Sequence, residues 1–324
     1  DKCDITYENY TEVKALPYDL LISGSDSNAV NNLRLWKAVD TTSFNMSLIS
    51  QGQYVRAMQE TSSAEIISKV LYPSDDHDEG KLLRLSQQYF LVSASLQCIL
   101  NEHLSQYGTL DNLADKVAIH INDTHPALCV PELMRILLDE CAYDWDHAWD
   151  IVSKTMSYTN HTVLPEALET WGEGIFKLKL PRIYTIICEI NRRWVDYLAV
   201  KFGAGEKLGR NLIIKNGQVH MANLCLASCY MVNGVSRLHG QILKDDLFND
   251  IYTIRPERFT HVTNGIDHRR WMAQINPELH GFIVDSLGSD DYLVKPETLI
   301  ELAKFADDSE ARARMNAIKH QNKL

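Results

Sequence analysis

The sequence predicts an α/β fold, and three stretches carry that expectation. Residues 157–171 (SYTNHTVLPEALETW) read as the end of a strand, a polar turn and a helix opened by Pro165. Residues 117–123 (VAIHIND) form a short apolar run with β-branched residues, the pattern of a buried strand. The run leads through Asp123-Thr124-His125-Pro126 into a helix expected from Pro131. Ile183, Ile186, Ile187, Ile190, Trp194, Tyr197 and Leu198 recur at helical spacing, which makes one long core-facing stripe.

Each unit has its own local logic. Pro165 suits the first helical position, where a missing N–H is no loss. Glu166 and Glu169 follow in what would be the first turns, where carboxylates suit the helix dipole. Thr159, Asn160, His161 and Thr162 then stand where a strand gives way to a helix. In open α/β sheets that carboxyl end of the strands is where ligands bind. In the other unit, Leu133, Met134, Leu137 and Leu138 share one helix face. Both turns present a histidine, so a single site lined by both is expected. The plainer reading of either histidine taken alone is that it satisfies buried backbone groups.

The remaining segments fill in around these units. Residues 23–27 carry turn chemistry, and residues 31–36 read as a strand. Tyr54, Val55, Met58, Ile66, Ile67 and Val70 suit a helical stripe interrupted at Thr61-Ser62-Ser63. Residues 72–81 (YPSDDHDEGK) form an acidic loop before a long helical pattern over 82–103. Such a loop is ordinarily a solvated connection; beside a ligand site it can serve as a gate. Residues 221–243 read as one helix weakened at Asn233-Gly234, where glycine either allows close packing or marks a break. Val262-Thr263-Asn264-Gly265 reads as a short strand ending in a turn, and the locally basic residues beyond it place a domain boundary at 264/265. Gly203, Gly205 and Gly209 nearly match a dinucleotide fingerprint. They follow a helix where that fingerprint needs a strand, so they are set aside.

Composition narrows the function classes. The 324 residues are 45% hydrophobic and 23% charged, with a net charge of −11. That charge argues against a broad nucleic-acid surface, because phosphate binding needs clustered Lys and Arg. No apolar run is long enough for a membrane span, and the N-terminus has no signal-peptide pattern. Seven scattered cysteines make no disulfide framework, so a reduced cytoplasmic protein is expected. Cys225 and Cys229, four apart, read as core residues and not as metal ligands. Without a secretory signal, sequons at Asn9, Asn45, Asn122 and Asn160 read as chance matches or as residues with other uses. The chain begins at Asp1 and stops at Leu324 within a helix-like run, the look of a piece of something longer.

Several short runs, in order, resemble the α-glucan (glycogen, starch or maltodextrin) phosphorylase family. They are Pro17-Tyr18-Asp19, Leu33-Arg34-Leu35-Trp36, Leu71-Tyr72-Pro73 and Asn122-Asp123-Thr124-His125-Pro126. They continue through residues 158–169 (YTNHTVLPEALE), Val232-Asn233-Gly234-Val235, Thr263-Asn264-Gly265-Ile266 and Arg269-Arg270-Trp271. The resemblance implies a GT-B fold, two Rossmann-like domains facing across a cleft. Residues 1–264 would be the later part of the N-terminal domain, and residues 265–324 the start of the C-terminal one. It also implies reversible, retaining phosphorolysis of terminal α-1,4-glucosyl units to glucose 1-phosphate. The implied cofactor is pyridoxal phosphate, whose attachment lysine would lie beyond Leu324, as would the basic phosphate-binding residues. α-1,4-Glucan and orthophosphate are the implied partners, within a full-length homodimer.

Carried over motif by motif, His161 would contact the glucosyl 6-hydroxyl and Asn264 the 4- and 6-hydroxyls. Asp123, His125, Thr162, Ala167, Glu169 and Arg84 would line the adjoining pocket where the glucan passes. Trp271 would pack near the cofactor. Asp75 and Asp76 would belong to a gate over the catalytic cleft. This sequence departs from the family pattern at Asp76, where asparagine is usual, at His77, where an aromatic is common, at residues 20–25, and at Thr170, where arginine is common. A carboxylate at position 76 repels an incoming phosphate. The expectation is a bacterial-type phosphorylase segment that is inactive alone. The alternatives are a non-catalytic glucan-binding module and, less favoured, a metal hydrolase built on His120, Asp123, His125 and His161.

Overall fold

The computed structural model describes residues 5–24, 27–41 and 46–324, apart from the side chains of residues 46 and 56–63. Ser25 and Asp26 of the expected turn, Asn45, and the side chains of Met58, Thr61, Ser62 and Ser63 therefore lie outside the described residues. The chain divides into two compact units: residues up to Tyr18 with Arg34–Thr263, and Asp19–Leu33 with Asn264–Leu324.

Strands β1 (Val13–Ser23) and β2 (Val30–Asp40) pair with each other. A four-stranded sheet is the frame of the first unit. It comprises β3 (Ile119–Asn122), β4 (Met156–Thr159) and two strands from later in the chain, and every neighbouring pair in it is parallel. A small antiparallel sheet is built from β5 (Thr170–Gly172), β6 (Ile214–Lys215) and β7 (Gln218–His220). Strands β8 (Met231–Gly234) and β9 (Phe259–His261) complete the parallel sheet in the order β3-β4-β8-β9. All four residues of β4 are buried, as expected for a strand of a parallel sheet covered on both faces. Because the strands run the same way, Asn122, Thr159, Gly234 and His261 end on one edge.

Helices supply the covering core. The Pro181–Phe202 helix buries Ile183, Ile186, Ile187, Ile190, Trp194 and Leu198, the stripe read from the sequence. Cys225 and Cys229 are both fully buried. Gly203 caps that helix at φ +71°, a helix end and not a strand-to-helix phosphate loop. In the second unit Phe282, Ile283, Tyr292 and Ile318 form a separate small core between the Pro277–Leu287 and Ser309–Gln321 helices. Among the described residues, no helix is long and apolar enough to cross a membrane.

Several expected elements come out differently, each for a physical reason. Pro165 opens a single 3-10 turn, Pro165–Ala167, instead of a long helix. Thr170, Trp171 and Gly172 leave it to pair with His220, Val219 and Gln218, and this sheet pairing outweighs local helix preference. Residues 221–243 are two helices with β8 between them. Both roles of Gly234 hold: it ends the strand, and a Cβ there would stand 2.7 Å from the Gly240 nitrogen. The Tyr54–Lys69 backbone is helical without a break at 61–63.

The helix expected from Pro131 starts at Cys129. The strand expected at Val262 ends at His261, leaving Asn264 and Gly265 in irregular backbone. The long helix runs Asp78–Tyr107, so Asp78 and Glu79 belong to its first turn and only the residues before them form the loop. Its N-terminus is capped by His77, whose Nδ1 accepts the Gly80 N–H at 2.9 Å. A Cβ on Gly80 would fall 1.7 Å from the Ser74 carbonyl oxygen, so glycine is what lets the acidic loop fold back over this helix.

Candidate functional site

The turn after β3 is built around Asp123, held at φ +58°. Its N–H donates to the Thr159 carbonyl at 2.9 Å, which ties the turn to the end of β4. Its carboxylate accepts the Thr124 N–H at 2.6 Å. These bonds compensate for a left-handed backbone that aspartate tolerates better than most residues. The Thr124 hydroxyl in turn donates to Glu169 Oε2 at 2.8 Å.

Glu169 is the hub of this cluster. Its carbonyl accepts the Met221 N–H at 3.1 Å where β7 passes into the next helix, so the small antiparallel sheet sets its position. Oε1 accepts Gln88 Nε2 at 2.7 Å and lies 3.6 Å from His125 Nδ1. Burial by itself would raise the Glu169 pKa, but the contacts from His125, Gln88 and Thr124 outweigh it and hold the carboxyl below its ordinary range. His125 moves the other way: the Glu169 carboxylate lifts its pKa against partial burial. Arg84, one helical turn before Gln88, is close enough to oppose that rise, and its Nη1 lies 3.7 Å from Asp75 Oδ2. Asp75 thus joins the acidic loop to the cluster, while Asp76 accepts from Ser74 within its own loop at 2.7 Å.

The turn after β4 is neutral. Asn160 is fully buried; its N–H donates to the Asn233 carbonyl at 3.0 Å and its Nδ2 to the Tyr158 hydroxyl at 2.9 Å. Its Oδ1 accepts the Thr162 N–H at 2.8 Å. His161 is exposed, with Nε2 2.6 Å from Asn122 Oδ1, which places it next to the residue that opens the β3 turn. A polar chain runs beneath this edge: His120 bonds Thr159 Oγ1, which donates to Asn233 Oδ1 at 2.8 Å.

The fold therefore gathers Asp75, Arg84, Asp123, His125, His161, Thr162 and Glu169 along one sheet edge. Ala167 is exposed in the 3-10 turn just before the hub. Asn264 and Trp271 belong to the second unit, and both are exposed there. The four candidate ligands of a metal hydrolase do not form a set. His120, His125 and His161 each engage a different partner, and among the described residues no three His, Cys, Asp or Glu side chains are grouped to hold a metal.

Four contributors escape a reading of the sequence. Gln88 shares a helix face with Arg84 by its i+4 spacing, a signal present in the sequence but uninformative until Arg84 is placed. Thr124 and Asn122 sit inside the quoted motif without a role of their own. His239, whose Nε2 stands 2.9 Å from the Thr162 carbonyl oxygen, has no local signal at all.

Comparison with known proteins identifies the family. The sequence profile of the Carbohydrate phosphorylase family matches residues 1–324. The muscle form of glycogen phosphorylase from Mus musculus is 43% identical over 324 residues, covering 96% of this chain and 38% of that protein. Glycogen phosphorylase from Chlamydia pneumoniae is 42% identical over 316 residues, with the same two shares. The Bacillus subtilis glycogen phosphorylase is 46% identical over 303 residues, 93% of this chain and 37% of the relative. The chain thus spans less than two fifths of the length of these curated relatives, and it belongs to the carbohydrate phosphorylase family.

Proposed function

We propose that this chain is the glucosyl-recognition part of an α-1,4-glucan phosphorylase, a cytoplasmic homodimer of GT-B fold. The longer protein transfers terminal glucosyl units to orthophosphate with retention, giving glucose 1-phosphate. Residues 1–264 contribute the later part of its N-terminal domain and residues 265–324 the start of the C-terminal one. The observation that carries this reading is the identity of 42–46% with glycogen phosphorylases along nearly the whole chain.

Within that reading, the sheet-edge residues have distinct tasks. Asn122 takes the Nε2–H of His161, which leaves Nδ1 to accept a hydrogen bond from the glucosyl 6-hydroxyl. For Asn264, in the second unit, the resemblance to the family alone assigns the 4- and 6-hydroxyls. A site built to pair a hydroxyl rejects analogues that lack it. Glu169, held by the Gln88 and Thr124 donors, steadies the His125 ring beside it for contact with the passing glucan, next to Asp123, Thr162 and Ala167. Arg84 attracts phosphate while Asp75 and Asp76 in the gate loop temper that attraction.

Pyridoxal phosphate is the cofactor of this reading, and Lys215, the one described lysine whose pKa burial clearly lowers, does not fit it as an attachment point. Burial lowers the Lys215 pKa, as a Schiff-base lysine requires, yet its Nζ is committed to the Arg210 carbonyl. Trp271 offers the cofactor no more than an exposed indole face. The chemistry assigned to this chain is therefore sugar recognition and orientation.

The test has two arms. The 324-residue chain with pyridoxal phosphate, maltoheptaose and orthophosphate should release no glucose 1-phosphate. Grafted in place of the matching segment of the Bacillus subtilis relative, it should support release. A folded, cofactor-loaded graft that does not turn over would contradict the proposal, and turnover by the chain alone would overturn its division of labour.

A further inference from the structure

A buried imidazole outside the sugar contacts joins two turns of the parallel sheet's carboxyl edge. His239 is 6% exposed and lies in the first turn of the Arg237–Ile242 helix, behind Ser236, whose Oγ accepts the His239 N–H at 3.0 Å. Its Nδ1 accepts the Val235 N–H at 3.0 Å. A backbone amide can only donate, so Nδ1 carries no proton and the neutral ring keeps its proton on Nε2. Nε2 stands 2.9 Å from the Thr162 carbonyl oxygen, which can only accept. Both bonds are satisfied together in one protonation state alone, the neutral Nε2–H tautomer.

The other end of this tie is the turn after β4. Thr162 is held through its N–H by the buried Asn160 side chain and through its carbonyl by His239. Asn160 is itself anchored to β8 through the Asn233 carbonyl. His161 stands between these two fixed residues, and its ring reaches Asn122 across the edge. The β8 side has no slack to absorb a shift, because a Cβ on Gly234 would meet the Gly240 nitrogen at 2.7 Å, and one on Gly240 would meet His261 Cβ at 2.8 Å.

We infer that His239 is a positioning residue, which sets the orientation of the His161 imidazole by holding the Thr162 carbonyl as a neutral Nε2–H donor. Its consequence for catalysis rests on the reading of His161 as a sugar contact; the tie itself does not. The two ring nitrogens have separable duties, and two amide side chains separate them. His239→Gln keeps a donor near the place of Nε2, whereas His239→Asn keeps an acceptor near the place of Nδ1.

The experiment is heteronuclear NMR of the 324-residue chain with isotope-labelled histidine. In the wild type at neutral pH, the His239 ring should show the neutral Nε2–H pattern. The His161 ring signals should stay in place in His239→Gln and move in His239→Asn, with the His103 and His147 signals unmoved in both as reporters of an intact fold. A charged or Nδ1–H His239 ring in the wild type overturns the inference, and this arm decides the matter alone if either variant fails to fold. His161 signals that stay put in the Asn variant, or that move equally in both variants, overturn it as well. No arm contains sugar, so a failure of the glucosyl reading would appear in the graft assay and leave these signals untouched.

Discussion

Glu132 and Glu169 are both carboxylates withdrawn from water and served by the same long helix, yet their partners differ in kind. Glu132 is fully buried and accepts from the Tyr89 hydroxyl at 2.9 Å, Ser93 Oγ at 2.8 Å, and Arg135 Nε and Nη2 at 2.7 and 2.9 Å. Arg135 extends this network to Glu140 and to Tyr7 near the start of the chain. Burial and then the Glu132 charge push the Tyr89 phenol up, and despite its own burial Arg135 is held cationic by these bonds. Glu169 has Gln88, Thr124 and the mostly exposed, titratable His125 instead. A carboxylate sealed by a permanent cation serves as scaffold. One kept charged by two neutral donors and a titratable neighbour facing solvent can respond to a ligand.

Glu132→Gln removes the buried countercharge of Arg135 and leaves the guanidinium with the half-exposed Glu140 as its remaining carboxylate. The loss should be about 3–5 kcal/mol of unfolding free energy, read from the urea midpoint; a loss below about 1 kcal/mol would remove the distinction. Gln88→Glu places a second carboxylate where the present amide stands 2.7 Å from Glu169 Oε1. Two such groups cannot both ionise, so the pair should hold one proton and its upper pKa should rise above the unfolded value. The variant should match the wild type best near pH 5 and lose about 1–3 kcal/mol as pH rises toward 8; a pH-independent difference would contradict this.

The smallest effect belongs to His125. Its folded pKa is raised above 6.5, so its contribution is present below pH 6.5 and is lost as pH climbs through the raised value. Glu169 is lowered below 4.5, so its share is present above pH 4.5 and fades as pH falls through the lowered value. The pair should therefore stabilise most between about pH 4.5 and 6.5. Solvent screening around the exposed imidazole limits the gain to about 0.3 kcal/mol. The stability difference between wild type and His125→Ala, followed from pH 4 to 8, should show that window, and a flat difference would refute it.

What the sequence displays of this site is its two turns. Asn122 to Pro126 and Thr159 to Pro165 announce themselves because polar residues and proline interrupt apolar runs where strands end. The helix face of the Pro181–Phe202 segment is equally plain, since its period is set by burial alone. Glu169 is misread as a helical residue because its neighbours Thr170–Gly172 pair with a strand some 50 positions later, which no local signal foretells. β8 hides inside a helix-like run for the same reason: its neighbours in the sheet are β4 and β9, and its glycine is needed only once the following helix crosses it. Gln88 and His239 act through contacts 81 and 77 residues distant in sequence, so their roles exist only in the folded chain.

In the proposed function, His161 reads the glucosyl 6-hydroxyl at the edge of the parallel sheet. Its most direct test is the preference of the grafted enzyme for glucose 1-phosphate over 6-deoxyglucose 1-phosphate as glucosyl donor, measured as a ratio of kcat/KM. The wild-type graft should favour the natural donor by on the order of 100-fold or more, and His161→Ala should bring that ratio close to one. If the substitution slows both donors equally and leaves the ratio unchanged, His161 does not contact that hydroxyl.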